Sequence, residues 1–278
     1  INQETEIFGI IGNHVGSSLS PRIHNAAFAA VERNAVYIPF AVHDADQFIR
    51  RMVHPASREI EWNLRGLSVT TPHKLAVIQG LDEIDTTAGE IGAVNTIVVR
   101  DGRLLGYNTD AAGFIAPLGE RYGALQNARC AVIGAGGAAQ ACLWALQKEG
   151  AECVLFARNR EKALALAQAF NVECRQAENA DFGGFDIVIN ATSLGMRGAT
   201  EGATPAGVEQ LRGVRLAYDL VYNPLQTRFL SAARDAGCET LGGFEMLLSQ
   251  AVEQFRLWTG REPDVGVMRA SAFAELSE

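Results

Sequence analysis

The chain has 278 residues, more than the ~100–200 of a usual single domain, so two domains are expected. Hydrophobic residues make up 48% and charged residues 20%, as in a globular protein with a buried core, and the net charge of −8 argues against nucleic acid or an anionic membrane as main partner. No apolar run reaches the ~18 residues a membrane-spanning helix needs, and no basic leader precedes an apolar stretch.

The first half alternates strand and helix patterns. "IFGIIG" (7–12) reads as a strand, followed by the loop "NHVGSSLS" and the helical spacing of "PRIHNAAFAAVERN". Ser20 is placed to cap that helix, with Pro21 in its first turn. "AVYIPFAV" (35–42) is the next strand, "DADQFIRRMV" a helix and "LRGLSVT" (64–70) a third strand. "VNTIVV" (94–99) is a fourth strand, turned by Asp101-Gly102 before "LLGYNTD". This alternation predicts a mainly parallel sheet with helices on both faces. The domain boundary is expected near the helix of residues 113–123.

A second series starts near Arg129, with strands "CAVIG", "ECVLFA" (152–157), "FDIVIN" (185–190) and "RLAYDLV" (215–221). The long pattern of residues 244–260 ends at Gly260, a C-cap residue. Within "VIGAGGAAQA", Gly134, Gly136 and Ala139 fit G-x-G-x-x-A between a strand and a helix. The first glycine permits a tight turn, the second lets a pyrophosphate approach the backbone, and the small third residue lets helix and strand pack closely. Sites for NAD usually place Asp or Glu at the end of the next strand to hold the ribose 2′-hydroxyl. Here that strand runs into "RNREK", with Arg158, Arg160 and Lys162 opposed only by Glu161. Cations suit a 2′-phosphate, so NADP(H) is expected rather than NAD(H).

The five cysteines (Cys130, Cys142, Cys153, Cys174, Cys238) are scattered and never form a CxxC pair, as suits reduced thiols in a cytoplasmic protein. All five histidines precede residue 74 and all cysteines follow residue 129, so no local His/Cys cluster forms and no metal is expected. Two polar stretches stand out in the first half. "SVTTPHK" (68–74) places Lys74 at the start of a helical pattern, where the dipole disfavours a cation. "GYNTD" (106–110) ends in Asp110 beside "AAGFIAPL". Taken singly, Lys74 reads as a solvated amine and Asp110 as an N-cap.

In order along the chain, "SSLSP", "SVTTPHK", "GAVNT", "GYNTD", "GAGGA", "NATSLGM" and "GGFEMLLSQA" resemble the shikimate/quinate dehydrogenase family. The resemblance covers nearly the whole chain. It implies an α/β fold of two domains, an N-terminal substrate domain and a C-terminal Rossmann-like NADP-binding domain with the active cleft between them. The implied boundaries are residues 1–115, 116–245 and a C-terminal helical segment 246–278 that can pack back on the first domain. By resemblance, Lys74 and Asp110 match the family's catalytic pair. Ser18, Ser20, Thr70, Asn95, Tyr222 and Gln250 match its substrate contacts. Gly134, Ala135, Gly136, Gly137, Ala138, Arg158, Lys162, Thr192, Ser193, Leu220 and Gly243 match its cofactor contacts. The chain departs from the pattern at Ser17, where many members have His, at Ala157, a common Asn, and at Glu245, often Gly.

The implied activity is reversible reduction of 3-dehydroshikimate to shikimate, with shikimate or 3-dehydroshikimate as small-molecule partner. A broader quinate/shikimate dehydrogenase is the near alternative. A non-catalytic NADP-binding regulatory module is the alternative from another class, against which the intact Lys74/Asp110 pair argues. A methylenetetrahydrofolate dehydrogenase would share the architecture without reason to carry "GYNTD" and "SSLSP". Monomer and homodimer are both compatible with the sequence. The start at Ile1 rather than Met is compatible with a processed product or a segment of a longer multifunctional chain.

Overall fold

A computed structural model describes residues 1–13 and 15–276, so His14 lies outside the described residues. The chain divides into two compact units, residues 1–109 with 250–278, and residues 110–249.

The first unit opens with β1 (Glu6–Gly12), α1 (Ser20–Ala30) and β2 (Ala35–Ala41). The last five residues of β1 are all buried, so it reads as a continuous apolar run; strands covered on both faces look this way. It lies between β2 and β3 (Leu64–Val69), parallel to both. The expected helix after β2 is a single turn, α2 (Ala45–Phe48), capped by Asp44 and continued as a π-helix over Ile49–Val53. After β3 come a short 3-10 helix (Ala76–Gly80), β4 (Glu83–Ile84), α3 (Thr86–Ile91), β5 (Thr96–Arg100) and β6 (Arg103–Tyr107).

The sheet order is β2-β1-β3-β5-β6-β4. Its pairs β1/β2, β1/β3 and β4/β6 are parallel, while β5 runs antiparallel to both neighbours. The expectation of a mainly parallel sheet therefore holds with one reversed strand. The two-residue turn at Asp101-Gly102 joins β5 to β6, and so short a link can only reverse the chain. Two further expectations are corrected. Ser20 is the first residue of α1 rather than its cap, because Leu19 occupies the cap position and no side chain caps it. Lys74 precedes a 3-10 turn rather than opening an α-helix.

The second unit begins with α4 (Asp110–Tyr122), β7 (Arg129–Ile133), α5 (Gly137–Lys148), β8 (Glu152–Ala157), α6 (Arg160–Phe170) and β9 (Glu173–Gln176). It continues with β10 (Ile187–Asn190), β11 (Leu216–Asp219), α7 (Arg228–Asp235) and β12 (Glu239–Gly242). All its strands are parallel, in the order β12-β11-β10-β7-β8-β9. Numbered within the unit this is the 3-2-1-4-5-6 order of a Rossmann fold. Phe156, Phe182, Phe185, Val188, Leu211 and Phe229 fill one core, and Phe114 of α4 stacks on Tyr218 at 5.2 Å.

Helix α8 (Gly243–Thr259) leaves the second unit, and its later turns belong to the first, as does α9 (Val265–Leu276). Gly66 explains how α8 seats on the first sheet. A Cβ there would collide with the indole of Trp258, whose Nε1 donates to the Ile97 carbonyl at 3.0 Å. Phe255 and Trp258 pack with Phe8 and Phe28, and Gly260 (φ +66°) ends the helix as expected.

Candidate functional site

In the first unit, polar residues collect at the carboxyl ends of β1 and β3, where loops of parallel sheets usually carry ligand contacts. The loop after β1 brings Ser18, half-buried, whose Oγ accepts the Ser20 N–H at 3.2 Å. Ser20 is buried. Thr70 follows β3, its N–H donating to the Ile11 carbonyl at 2.9 Å. The chain then passes a cis Thr71-Pro72 bond and reaches Lys74, whose side chain is part-exposed. Val94 N–H donates to the Lys74 carbonyl at 2.8 Å, and the buried His73 donates through Nε2 to the Val42 carbonyl at 2.6 Å.

Asn95 lies just before β5 and is 2% exposed. Its Oδ1 accepts from Thr109 N–H at 2.7 Å and from Thr96 Oγ1 at 2.8 Å, and its Nδ2 donates to Thr109 Oγ1 at 2.9 Å. Asn108 donates to the Ala93 carbonyl at 2.8 Å. The "GAVNT" and "GYNTD" stretches are thus one bonded layer, fixing the backbone that leads into Asp110. Gln250 is buried on α8. Ser18, Ser20, Thr70, Lys74, Asn95 and Gln250 belong to the first unit; Asp110 and Tyr222 belong to the second.

In the second unit the glycine turn leaves β7 at Gly134, whose φ of +129° disfavours any side chain and whose Cβ would come 2.8 Å from the Ala191 carbonyl oxygen. Ala135 follows. Gly136 is the N-cap of α5, with no side-chain cap and open space where a Cβ would point. The first-turn N–H groups at Gly137 and Ala138 therefore form an uncapped donor set suited to an anion. Strand β8 ends at Ala157, and Arg158 and Lys162 are exposed on either side of Asn159, which caps α6 by accepting the Lys162 N–H at 3.0 Å. Among the described residues no ion pair engages Arg158, Arg160 or Lys162. The donors and cations present thus fit a dinucleotide bearing an additional phosphate.

Two buried side chains passed over in the sequence tie the remaining loops to the sheet. Asn190 and Asp219 end the adjacent strands β10 and β11 in register. Asn190 Oδ1 accepts from Thr192 N–H and Oγ1, at 3.1 and 2.6 Å, and its Nδ2 donates to Asp219 Oδ1 at 2.9 Å. Asp219 also accepts from Val221 N–H at 3.0 Å and from Thr227 Oγ1 at 2.5 Å. Burial pushes its carboxyl up to about 6, the three hydrogen bonds opposing that rise. Thr192, Ser193, Leu220 and Tyr222 are positioned by this pair. Gly243 is required where it stands, because a Cβ there would strike the Leu220 carbonyl. The only sequence signal for the pair was a polar residue ending each of two apolar strands.

The described residues contain no group of three His, Cys, Asp or Glu able to hold a metal ion. Burial pushes the Cys153 thiol up to about 12 and the Cys130 thiol upward as well, so neither is a ready nucleophile. No described helix is long and apolar enough to cross a membrane.

Residues 10–97 match the profile of the shikimate dehydrogenase substrate binding domain, residues 118–216 that of shikimate / quinate 5-dehydrogenase, and residues 243–273 that of the shikimate 5′-dehydrogenase C-terminal domain. A shikimate dehydrogenase (NADP(+)) of Thermococcus kodakarensis is 42% identical, over 99% of this chain and 98% of its own. The chain belongs to the shikimate dehydrogenase family. A crystal structure of shikimate dehydrogenase in complex with NADP+ superposes with a TM-score of 0.91 at 36% identity, covering 100% of this chain and 98% of the other. The Thermus thermophilus shikimate 5-dehydrogenase, solved with NADP(H) and shikimate, gives 0.83 at 34% identity over 96% and 98%. The expected family, and the expected α/β fold with a Rossmann-like C-terminal domain, are therefore correct.

Proposed function

We propose that this shikimate dehydrogenase family member catalyses the NADP(H)-dependent interconversion of 3-dehydroshikimate and shikimate, as a cytoplasmic biosynthetic enzyme. The observation that carries the reading is the uncapped start of α5 beside Gly136, combined with exposed Arg158 where a ribose-binding acid would otherwise stand.

The dinucleotide, when bound, supplies or takes the hydride. The chain's own residues do the rest. Gly134, Ala135, Gly136, Gly137 and Ala138 present backbone to the pyrophosphate; Arg158 and Lys162 hold the 2′-phosphate; Thr192, Ser193, Leu220 and Gly243 line the remaining contacts. Ser18 and Ser20 donate hydroxyls to the substrate carboxylate, while Thr70, Asn95, Tyr222 and Gln250 fix its ring hydroxyls. Such neutral donors and acceptors satisfy a polyhydroxy acid without a metal. Lys74 is the acid/base: its ammonium gives a proton to the substrate oxygen in reduction and its amine takes one in oxidation. Asp110 orients Lys74 and a substrate hydroxyl.

The test is NADP+ or NAD+ reduction followed spectrophotometrically with shikimate, quinate or neither. Reduction of NADP+ with shikimate well above that with quinate is expected. Preference for NAD+ would overturn the 2′-phosphate argument, preference for quinate would overturn the substrate, and no turnover with either acid would favour a non-catalytic binding module.

A further inference from the structure

The loop after β10 carries an exposed apolar side chain on a closely bonded backbone. Met196 is 45% exposed, and among the described residues of the second unit only Leu164 of α6 is a comparably exposed large apolar side chain. The N–H groups of Gly195, Met196 and Arg197 donate to the carbonyls of Thr200, Ser193 and Asn223 at 2.8, 3.1 and 2.8 Å. The Leu194 N–H donates to Thr192 Oγ1 at 3.1 Å, and the Leu194 carbonyl accepts from Asn190 Nδ2 at 3.1 Å. Thr200 Oγ1 closes the turn on the Ser193 carbonyl at 2.6 Å. The backbone on both sides of Met196 is thus fixed, and its thioether is held at the surface.

Strand topology decides which part of a dinucleotide meets that surface. The chain passes from β7 outward to β8 and β9, then returns to β10 on the other side of β7, so the strand order reverses between β7 and β10. Dinucleotides bind across such a reversal. The uncapped start of α5 follows β7, and Arg158 follows β8. A pyrophosphate at the first, with a 2′-phosphate at the second, directs the other half of the molecule the opposite way, over the carboxyl end of β10. That half ends in the nicotinamide, a flat ring that is apolar apart from its amide and positively charged when oxidised. A thioether suits such a ring, because sulfur is polarisable and packs favourably against aromatic groups.

We propose that Met196 is a cofactor contact that packs against the nicotinamide ring; this rests on the reading of the glycine turn and Arg158 as the pyrophosphate and 2′-phosphate sites. Thioether and ring each lose apolar surface to water only when the whole dinucleotide binds, so the contact adds affinity that the adenosine half alone does not gain.

The chain has four methionines, of which Met52 is half-buried and Met246 and Met268 are buried, so Met196 is the one most open to oxidation. The protein is treated with dilute hydrogen peroxide alone, with saturating NADP+, or with saturating adenosine 2′,5′-bisphosphate, which carries the 2′-phosphate without the nicotinamide. Sulfoxide at each methionine is read by peptide mass spectrometry, and binding of both ligands by titration calorimetry. NADP+ should slow oxidation of Met196 severalfold and the bisphosphate should leave it unchanged, with Met52 as the control for general tightening. Met196→Ala should weaken NADP+ binding about three- to thirtyfold, with the bisphosphate affinity and Tm unchanged, and Met196→Leu should restore most of the loss. NADP+ that binds without protecting Met196, or equal protection by the bisphosphate, would overturn the proposal. So would a Met196→Ala variant that binds NADP+ as tightly as the unaltered protein. Absence of NADP+ binding to the unaltered protein would instead overturn the cofactor reading, and the proposal with it.

Discussion

Lys74 owes its position to neighbours that do no chemistry. The Val94 N–H and the buried His73 imidazole fix the backbone on both sides of its Cα. Replacing a positioned acid/base by Ala removes a step rather than a grip, so Lys74→Ala should lower kcat by ~10²–10⁴ with a smaller change in KM. Asp110→Asn keeps the shape, removes the charge and should also lower kcat. If the two act as a unit, the double variant is little worse than the poorer single one, and retained kcat in Lys74→Ala removes it from the mechanism. Arg158 makes a separable prediction. A charge-assisted bond to a 2′-phosphate exists only with NADP+, so Arg158→Ala should raise the KM for NADP+ roughly tenfold or more and leave that for NAD+ nearly unchanged. Equal rises would place Arg158 on a part common to both dinucleotides.

At the scale of elements, the carboxyl ends of β10 and β11 work as one device. Asn190 and Asp219 stand side by side because their strands are parallel and in register, and together they collect the N–H or hydroxyl groups of Thr192, Val221 and Thr227. Two loops, each bearing expected cofactor or substrate contacts, are thereby tied to the rigid sheet, and the Arg197 N–H, donating to the Asn223 carbonyl at 2.8 Å, also ties them to each other. Asp219→Ala leaves three buried donors without an acceptor, which costs about 3 kcal/mol or more. Urea unfolding should show that loss, and the NADP+ KM should rise because the Thr192 loop loses its anchor. Unchanged stability would mean that water replaces the carboxylate. Helix α1 gives a milder case. Ser18 Oγ, not Ser20, accepts a first-turn N–H, so Ser20→Ala should weaken shikimate binding without fraying α1 or altering NADP+ binding. Equal loss of both ligands would indicate misfolding instead.

For the whole molecule, two buried titrating groups set opposing pH dependences. Burial lowers His24 from 6.5 to about 3, so below pH 6.5 the unfolded chain binds a proton that the folded one excludes. Stability from this group is therefore constant above pH 6.5 and falls on acidification, at roughly 1.4 kcal/mol per pH unit at most. Asp219 is raised from 3.8 to about 6, so between those values the folded state keeps a proton that the unfolded state has released. Its contribution falls as pH rises through that window and is level above it. His24→Phe should flatten the acid limb of a stability curve measured by urea unfolding between pH 6.5 and 4, and Asp219→Asn should remove the opposing slope. An acid limb unchanged in His24→Phe would mean that His24 is protonated in the folded protein.

The sequence by itself determined the features whose physics is local. Apolar runs marked β1, β7, β8 and β10, helical spacing marked α1, α5 and α8, and Gly260 marked a helix end, since each depends on residues within a few positions. The glycine turn and the cationic end of β8 were legible for the same reason: a positive φ and a missing acid are visible one residue at a time. Tertiary structure alone decided the rest. The short strands β4, β9 and β12 carry no apolar run and exist because a neighbouring strand offers hydrogen bonds. The dipole argument at Lys74 failed because packing turned its segment into a 3-10 helix. Asn190 meets Asp219 across 29 residues and Gln254 meets Thr96 across 158, and such distances leave no periodic trace. A buried polar side chain acquires its meaning from the partner that satisfies it, and only the folded chain chooses that partner.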